Sequence, residues 1–297
     1  MVPKITLTRR GLLAALTLPA AKSAAAHGLR LSIGTYGMKS LPVDEALSQI
    51  RRIGYEGAEL CVMPGWPSEP DVLDAAARRR IREARFPIPT LIDNFNLLAS
   101  PEAHRATLNR IKADAGLAHD VSPGHPPMLQ TVLGGRPSEW AGVRDNMAAR
   151  LEEWARAAAE SRITIAVKSH VSSAVDTPDK LLWLLGKVSH PALTAIYDYS
   201  HFSLMGLDME QTMEQLLPRS GFITVKDARR VDGQPAFLLP GEGKIDYVQY
   251  FRKVRQLKWR GWVLVEVSRQ LQTLPGYDPV AAAEKSYRHL ASCLNQI

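Results

Sequence analysis

Four short stretches of the sequence end in side chains able to do chemistry. IAVKSH, IYDYSH, ITVKDA and VLVEV place Lys168 with His170, Asp198 with His201, Lys226 with Asp227, and Glu266 after or within runs of Val, Ile, Ala and Leu. Ammonium, imidazole and carboxylate groups brought to one place suit proton transfer and the polarisation of a carbonyl. Tyr36, Glu59, and Asp93 with Asn94 stand in similar positions, and Trp66 in MPGWP and Phe95 are candidate platforms for stacking a ligand. Taken singly, Glu59 and Asp93 read as salt-bridge or loop-capping groups, and Asp198 and His201, spaced D-Y-S-H, as the cap of a helix. Glu266 is harder to dismiss. A carboxylate inside an apolar strand costs on the order of several kcal/mol to bury unless a cation or hydrogen-bond donor meets it, so it demands a partner.

The elements that must carry these residues alternate. Apolar, β-branched runs predict strands at 29–36, 57–62, 88–95, 127–133, 163–169, 193–199, 222–228 and 261–268. Between them, helical spacing predicts helices at 43–54, 71–85, 101–118, 143–161, 176–188, 208–217, 245–257 and 279–294. In the first, Ala46, Leu47, Ile50 and Ile53 share a face before Gly54; in the fifth, Thr177 or Asp176 suits the cap and Pro178 the first turn. Eight strand-helix pairs with near-continuous apolar strands predict one α/β domain, a closed (β/α)8 TIM barrel over 27–297. An open doubly wound sheet is the rival, but no G-x-G-x-x-G follows the first strand. The stretch 119–127, HDVSPGHPP, reads as a mobile rim loop. In such a barrel the working residues stand at the carboxyl ends of the strands, where those above fall.

The first 26 residues differ from the rest. Arg9 and Arg10 precede the apolar run LLAALTLPA and then Ala24, Ala25 and Ala26, the pattern of a twin-arginine signal peptide. The apolar run is shorter than the roughly 18–20 residues of a membrane span. Export to the periplasm or cell surface of a bacterium is expected. Without Lys4, Arg9, Arg10 and Lys22 the formal net charge falls from +7 to +3, too small for a nucleic-acid footprint. Cys61 and Cys293, the only cysteines, read as two buried free thiols, and no Cys-rich metal spacing exists.

The succession GYEGAEL, IAVKSH, YDYSH, ITVKDA, LPGEGKIDY and WRGWVLVEV resembles the xylose isomerase-like barrel superfamily, across essentially the whole chain after the leader. That superfamily includes sugar phosphate isomerases and epimerases, hydroxypyruvate isomerase, inosose dehydratase and endonuclease IV. The resemblance implies one divalent ion, manganese, magnesium or zinc, held by four side chains. Asp198 and Glu266 match two of those positions. Lys168 stands where the family has a strand-five Glu, and Thr224 where it has a strand-seven His. An ordinary metal site is therefore not expected; Lys168 in ion pairs with Asp198 and Glu266 is expected to take the place of the ion. The alternative, if the register differs by one, is that Lys168 points to solvent.

Three functional readings follow. The first is an isomerase, epimerase or related lyase on a small-molecule carbohydrate, with Glu266 as base, Lys168 or His201 as acid or carbonyl polariser, and His170, Lys226, Asp227, Glu59 and Trp66 at the substrate. The second is a sugar-binding barrel that has lost metal and catalysis. The third, an endonuclease IV-like nuclease, requires a multi-metal His and carboxylate cluster for which no matching residues stand in place.

Overall fold

The computed structural model describes residues 28–297, so the leader read at 1–26 lies outside the described residues. Parallel strands β1 (Leu29–Gly34), β2 (Gly57–Cys61), β3 (Thr90–Ile92), β4 (Met128–Thr131), β5 (Ile165–Val167), β6 (Leu193–Tyr197) and β7 (Ser220–Val225) pair in chain order. A two-stranded antiparallel hairpin, β8 (Asp227–Val231) and β9 (Gln234–Leu238), follows β7. The last barrel strand, β10 (Gly261–Val265), pairs with both β7 and β1, and the barrel closes as expected. Helices α1 (Val43–Ile53), α2 (Ala75–Glu83), α3 (Pro101–Val121), α4 (Trp140–Glu160) and α5 (Pro178–Val188) connect the earlier strands. The short α6 (Tyr199–Ser203) precedes α7 (Met209–Leu216); α8 (Tyr247–Gln256) leads into β10, and the short α9 (Arg269–Gln272) precedes α10 (Pro279–Leu294).

The strands are apolar on both sides because both sides are covered. Leu31, Ile33, Leu60, Leu91, Ile165 and Val263 pack in the core beneath the helices. Ala166, Ile196, Phe222 and Leu264 form a separate buried cluster, flanked by Met128 and Trp262, that fills the barrel interior. Side chains alternate along a strand, so these four set the inward phase: Lys168, Asp198, Thr224, Lys226 and Glu266 follow them at even spacing. The register pairs Ala166 with Thr194 and Leu264 with Thr224, which leaves no one-residue slip and puts Lys168 inside.

Helix ends follow their sequence cues. The Thr177 side chain accepts from the Lys180 amide, with Pro178 in the first turn of α5. Gly54, at φ 115°, ends α1 in a conformation that a side chain would strain. Three expectations are corrected. The regular strands are shorter than the apolar runs, β3 and β5 having three residues each, and their ladders end where the polar residues begin. The loop after the seventh strand contains the hairpin. Finally, 119–127 is helical to Val121 and leads from α3 into β4, so it lies at the amino-terminal end of the barrel, away from the site. Cys61 and Cys293 are buried free thiols.

Candidate active site

At the carboxyl ends of β5, β6, β7 and β10 four charged side chains close a ring. Lys168 Nζ lies 2.5 Å from Glu266 Oε2 and 3.3 Å from Asp198 Oδ2. Lys226 Nζ lies 2.5 Å from Asp198 Oδ2 and 3.0 Å from Glu266 Oε1. Each carboxylate meets two ammonium groups and each ammonium two carboxylates, all buried. The partner that Glu266 demanded is thus two lysines. Lys226, read as a substrate contact from sequence, is the second cation of the ring. The Ser200 hydroxyl and amide donate to Asp198 Oδ1 at 2.5 and 3.2 Å, fixing its remaining oxygen.

The ring sets protonation states. Burial works to raise the Glu266 carboxyl, but Lys168 and then Lys226 outweigh it and hold it at about 2. Burial likewise opposes ionisation of Asp198, and Lys226 and Lys168 keep it well below the usual carboxylate range. Burial would lower the Lys168 ammonium, yet Glu266 and Asp198 push it above its ordinary value, so it stays protonated. The two histidines go the other way. Burial lowers His201 to about 4 and, with the positive neighbours, His170 to about 2, so both are neutral. His201 Nδ1 accepts the Val171 amide at 3.4 Å and His170 Nδ1 that of Ser172 at 3.2 Å, leaving Nε2–H of each as a donor. His201 Nε2 lies 3.4 Å from Asp198 Oδ2, and the His170 and His201 rings touch at a tilt of 44° with centroids 4.2 Å apart.

The ring forms the floor of a mouth with two lobes. One, of about 330 Å³, is lined by Asp93, Asn94, Gln130, Thr131, Lys168 and Ser173 among others. The other, of about 440 Å³, is lined by His201, Lys226, Gln234, Pro235, Phe237 and Arg269 among others. Tyr36, His170, Ser172 and Glu266 border both. Burial, with the Glu266 charge, pushes the Tyr36 phenol up to about 12, so it is a hydrogen-bond donor.

Four residues expected at the substrate, Asp227, Trp66, Glu59 and Phe95, stand behind the mouth. Asp227 accepts the Gly241 amide at 2.7 Å and that of Ile245 at 3.2 Å, tying down the GEGK loop. Trp66 stacks on Tyr36 at 5.5 Å, receives the Lys39 ammonium on its face at 4.0 Å and braces Tyr36 from outside. Glu59 is fully buried and accepts from Gln130 Nε2 at 2.5 Å, while its Oε1 has no partner. With no cation paired to it among the described residues, burial and the Glu266 charge push Glu59 up to about 8. Phe95 packs against Trp154 in the helix-side core. Gln130, Ser172, Ser173, Phe237 and Arg269 were not singled out from sequence. Gln130 carried a signal, a polar residue in the inward phase of MLQTV.

The donor set does not fit the divalent ion that the resemblance implies. Lys168 and Lys226 place two ammonium groups among the candidate ligands, and both carboxylates are engaged by them. Thr224 offers only a buried hydroxyl without a hydrogen-bond partner. Among the described residues no group of three or more His, Cys, Asp or Glu is arranged to hold an ion. No described helix is long and apolar enough to cross a membrane.

Residues 47–295 match the family model of the xylose isomerase-like TIM barrel. The inosose dehydratase of Geobacillus kaustophilus is 23% identical over 196 residues, 61% of this chain and 60% of that protein, so the alignment spans less than two thirds of that relative. The inosose dehydratase of Bacillus velezensis is 22% identical over 268 residues, 82% of this chain and 85% of that one. Among solved structures, the apo form of 3-keto-D-glucoside 4-epimerase from E. coli superposes with a TM-score of 0.70 at 15% identity, covering 89% of this chain and 100% of that chain. At such identity the likeness shows the fold.

Proposed function

Because the chain belongs to the xylose isomerase-like TIM barrel family, we propose that it is a carbohydrate-modifying enzyme, an isomerase, epimerase or dehydratase. It moves a proton on the carbon beside a carbonyl, and Lys168 and Lys226 take the electrostatic part that an ion would play. The observation that carries this reading is the ring itself, two protonated lysines held at the barrel mouth by the carboxylates of Asp198 and Glu266. The names of the relatives support the substrate class.

In this mechanism the substrate carbonyl oxygen lies on the ammonium groups, and Glu266 takes the proton from the adjacent carbon. The C–H electron pair moves into the new C=C bond, and the negative charge on oxygen is met by Lys168 and Lys226. A carboxylate held at about 2 is a weak base in the resting site. As the ammonium groups turn to the developing oxyanion, Glu266 loses part of its compensation and its basicity rises when it is needed. Delivery of a proton from water to the opposite face, with Glu266 giving its own to solvent, inverts the carbon; delivery of the Glu266 proton to the former carbonyl carbon, with the adjacent hydroxyl proton passing to the former carbonyl oxygen, shifts the carbonyl. Expulsion of a neighbouring hydroxyl as water, with the proton carried by Glu266, completes a dehydration. The Nε2–H of His170, the Tyr36 hydroxyl, Gln130 and Asn94 are placed to hold substrate hydroxyls.

The test is solvent deuterium exchange, followed by proton NMR, over a panel of ketoses, aldoses and inososes. Label should enter the carbon beside the carbonyl, persist in excess chelator and vanish in Glu266→Gln. Exchange that chelator abolishes would remove the lysines from the ion's role. Sugar binding without exchange would favour the second reading, a binding barrel, for which the mutual neutralisation of the ring is the supporting observation. Residues 1–26 support a further part of the proposal, export through the twin-arginine route; retention of the precursor in the cytoplasmic fraction of the native cells would overturn it.

A further inference from the structure

We propose that the substrate is an acidic sugar whose carboxylate is held by the Arg269 guanidinium while its carbonyl lies on the two lysines of the ring. The inference rests on the carbohydrate reading above and names the substrate class. The balance of charge over the mouth leads to it. Lys168 and Lys226 are matched by Asp198 and Glu266, and Asp93 is matched by Arg110 at 2.8 Å. His170 and His201 are held neutral, chiefly by burial. Arg269 remains: of the charged side chains that line the two lobes, it is the one without a partner among the described residues. The mouth therefore carries one unmatched positive charge. A carboxylate brings one negative charge to meet it, where a phosphate monoester brings nearly two.

The lobe that Arg269 lines is the more polar of the two, with Gln234, Ser268 and Gln270 beside it. Its wall is fixed. The Ser268 hydroxyl accepts the Gln270 amide at 3.2 Å, Gln270 Oε1 accepts the Phe237 amide at 2.9 Å, and Gln270 Nε2 donates to the Pro235 carbonyl at 3.1 Å. These bonds seat α9 against β9 and leave the exposed Arg269 side chain free to meet a ligand. Its charge is felt at the centre of the mouth: burial and then Glu266 raise the Tyr36 phenol, and Arg269 opposes them. A guanidinium presents two parallel N–H donors to the two oxygens of a carboxylate. Tyr36, His170 and Glu266 border both lobes. A sugar with its carboxylate at Arg269 and its carbonyl oxygen on Lys168 and Lys226 offers Glu266 the carbon beside that carbonyl, as the proton transfer requires.

The experiment is titration calorimetry of the protein with matched sets, D-glucose, D-galactose and D-mannose, each beside its uronate and its 6-phosphate. For at least one set the uronate should bind about ten- to a hundredfold more tightly than the neutral sugar, the worth of charge-assisted hydrogen bonds. Arg269→Gln should bring the uronate down to the neutral sugar and leave the neutral sugar unchanged. Arg269→Lys, which keeps the charge without the fork, should keep part of the preference. Neutral sugars that bind as tightly as their uronates in every set, or a preference undiminished in Arg269→Gln, overturn the carboxylate assignment and leave the carbohydrate reading intact. So does a 6-phosphate that binds more tightly than its uronate and loses that advantage in Arg269→Gln. Binding of no sugar in any set, neutral or charged, sinks the carbohydrate reading and the carboxylate assignment with it.

Discussion

Replacement of Lys168 by Met tests whether the ring is a single electrostatic unit. The native ring has two ammonium and two carboxylate groups and no net charge. Lys168→Met leaves Lys226 alone between Asp198 and Glu266, with a net charge of −1 in a buried site. Removing one partner of a buried ion pair costs about 3–5 kcal/mol because the other charge stays behind uncompensated. At about 2–4 °C per kcal/mol for a chain of this class, the melting temperature should fall by roughly 6–20 °C. The cost has a pH signature. In the native protein the Glu266 carboxyl, lowered from 4.5 to about 2, contributes stability that is present above pH 4.5 and lost as pH falls through about 2. In the variant that hold is weakened and the carboxyl pKa rises, so the deficit is greatest near neutrality and narrows towards pH 4.5. Calorimetric unfolding at pH 7.5 and 4.5 reads both effects. Lys168→Met/Glu266→Gln, which removes one charge of each sign, should be more stable than Lys168→Met alone. A melting temperature within about 1 °C of the native value at pH 7.5, the size of an ordinary surface change, would refute the ring. So would strictly additive costs in the double variant, since coupled residues deviate by roughly 0.5 kcal/mol or more.

Glu59 supplies the opposite pH dependence. Its carboxyl is raised from 4.5 to about 8, so folding favours the neutral form and stability declines as pH rises between those values. Glu59→Gln should flatten this decline, and urea unfolding at pH 5, 7 and 9 should show the variant gaining on the native protein; parallel curves would mean that Glu59 is ionised or paired. Asp227→Ala should free the amides of Gly241 and Ile245. Hydrogen bonds to a charged group contribute about 1.5–3 kcal/mol, so the urea midpoint should fall accordingly, with amide exchange accelerating at 241–245. A lowered midpoint without local exchange would place the effect elsewhere.

The barrel and three of the four ring residues were legible from local pattern. Strand phase alone takes Ala166 to Lys168, Ile196 to Asp198 and Leu264 to Glu266, because one inward layer of apolar side chains forces the next inward residue to the mouth. The same phase takes Phe222 through Thr224 to Lys226, yet the pairing of Lys226 with carboxylates on neighbouring strands is a contact across the barrel with no trace in local spacing. The hairpin had a signal that went unused. Asp232 and Gly233 both have positive φ, 49° and 78°, the conformation that a two-residue Asp-Gly turn supplies between paired strands. Missing it also hid Phe237. Asp227 and Trp66 were read as facing the substrate because they stand near strand ends. Whether such a residue faces inward or braces its neighbour depends on how the following loop folds back, which strand pattern does not encode.

The closed ring also fixes how far the site can be felt. A bare divalent ion at the mouth would present a monopole to approaching solutes. Four alternating charges a few ångströms apart form a multipole whose potential dies away faster with distance, before the roughly 8 Å screening length of physiological salt matters. The ring therefore polarises whatever touches it and draws in nothing from afar. Capture falls to shape and hydrogen bonding at contact distance, and the association rate for a neutral sugar should hardly change with ionic strength.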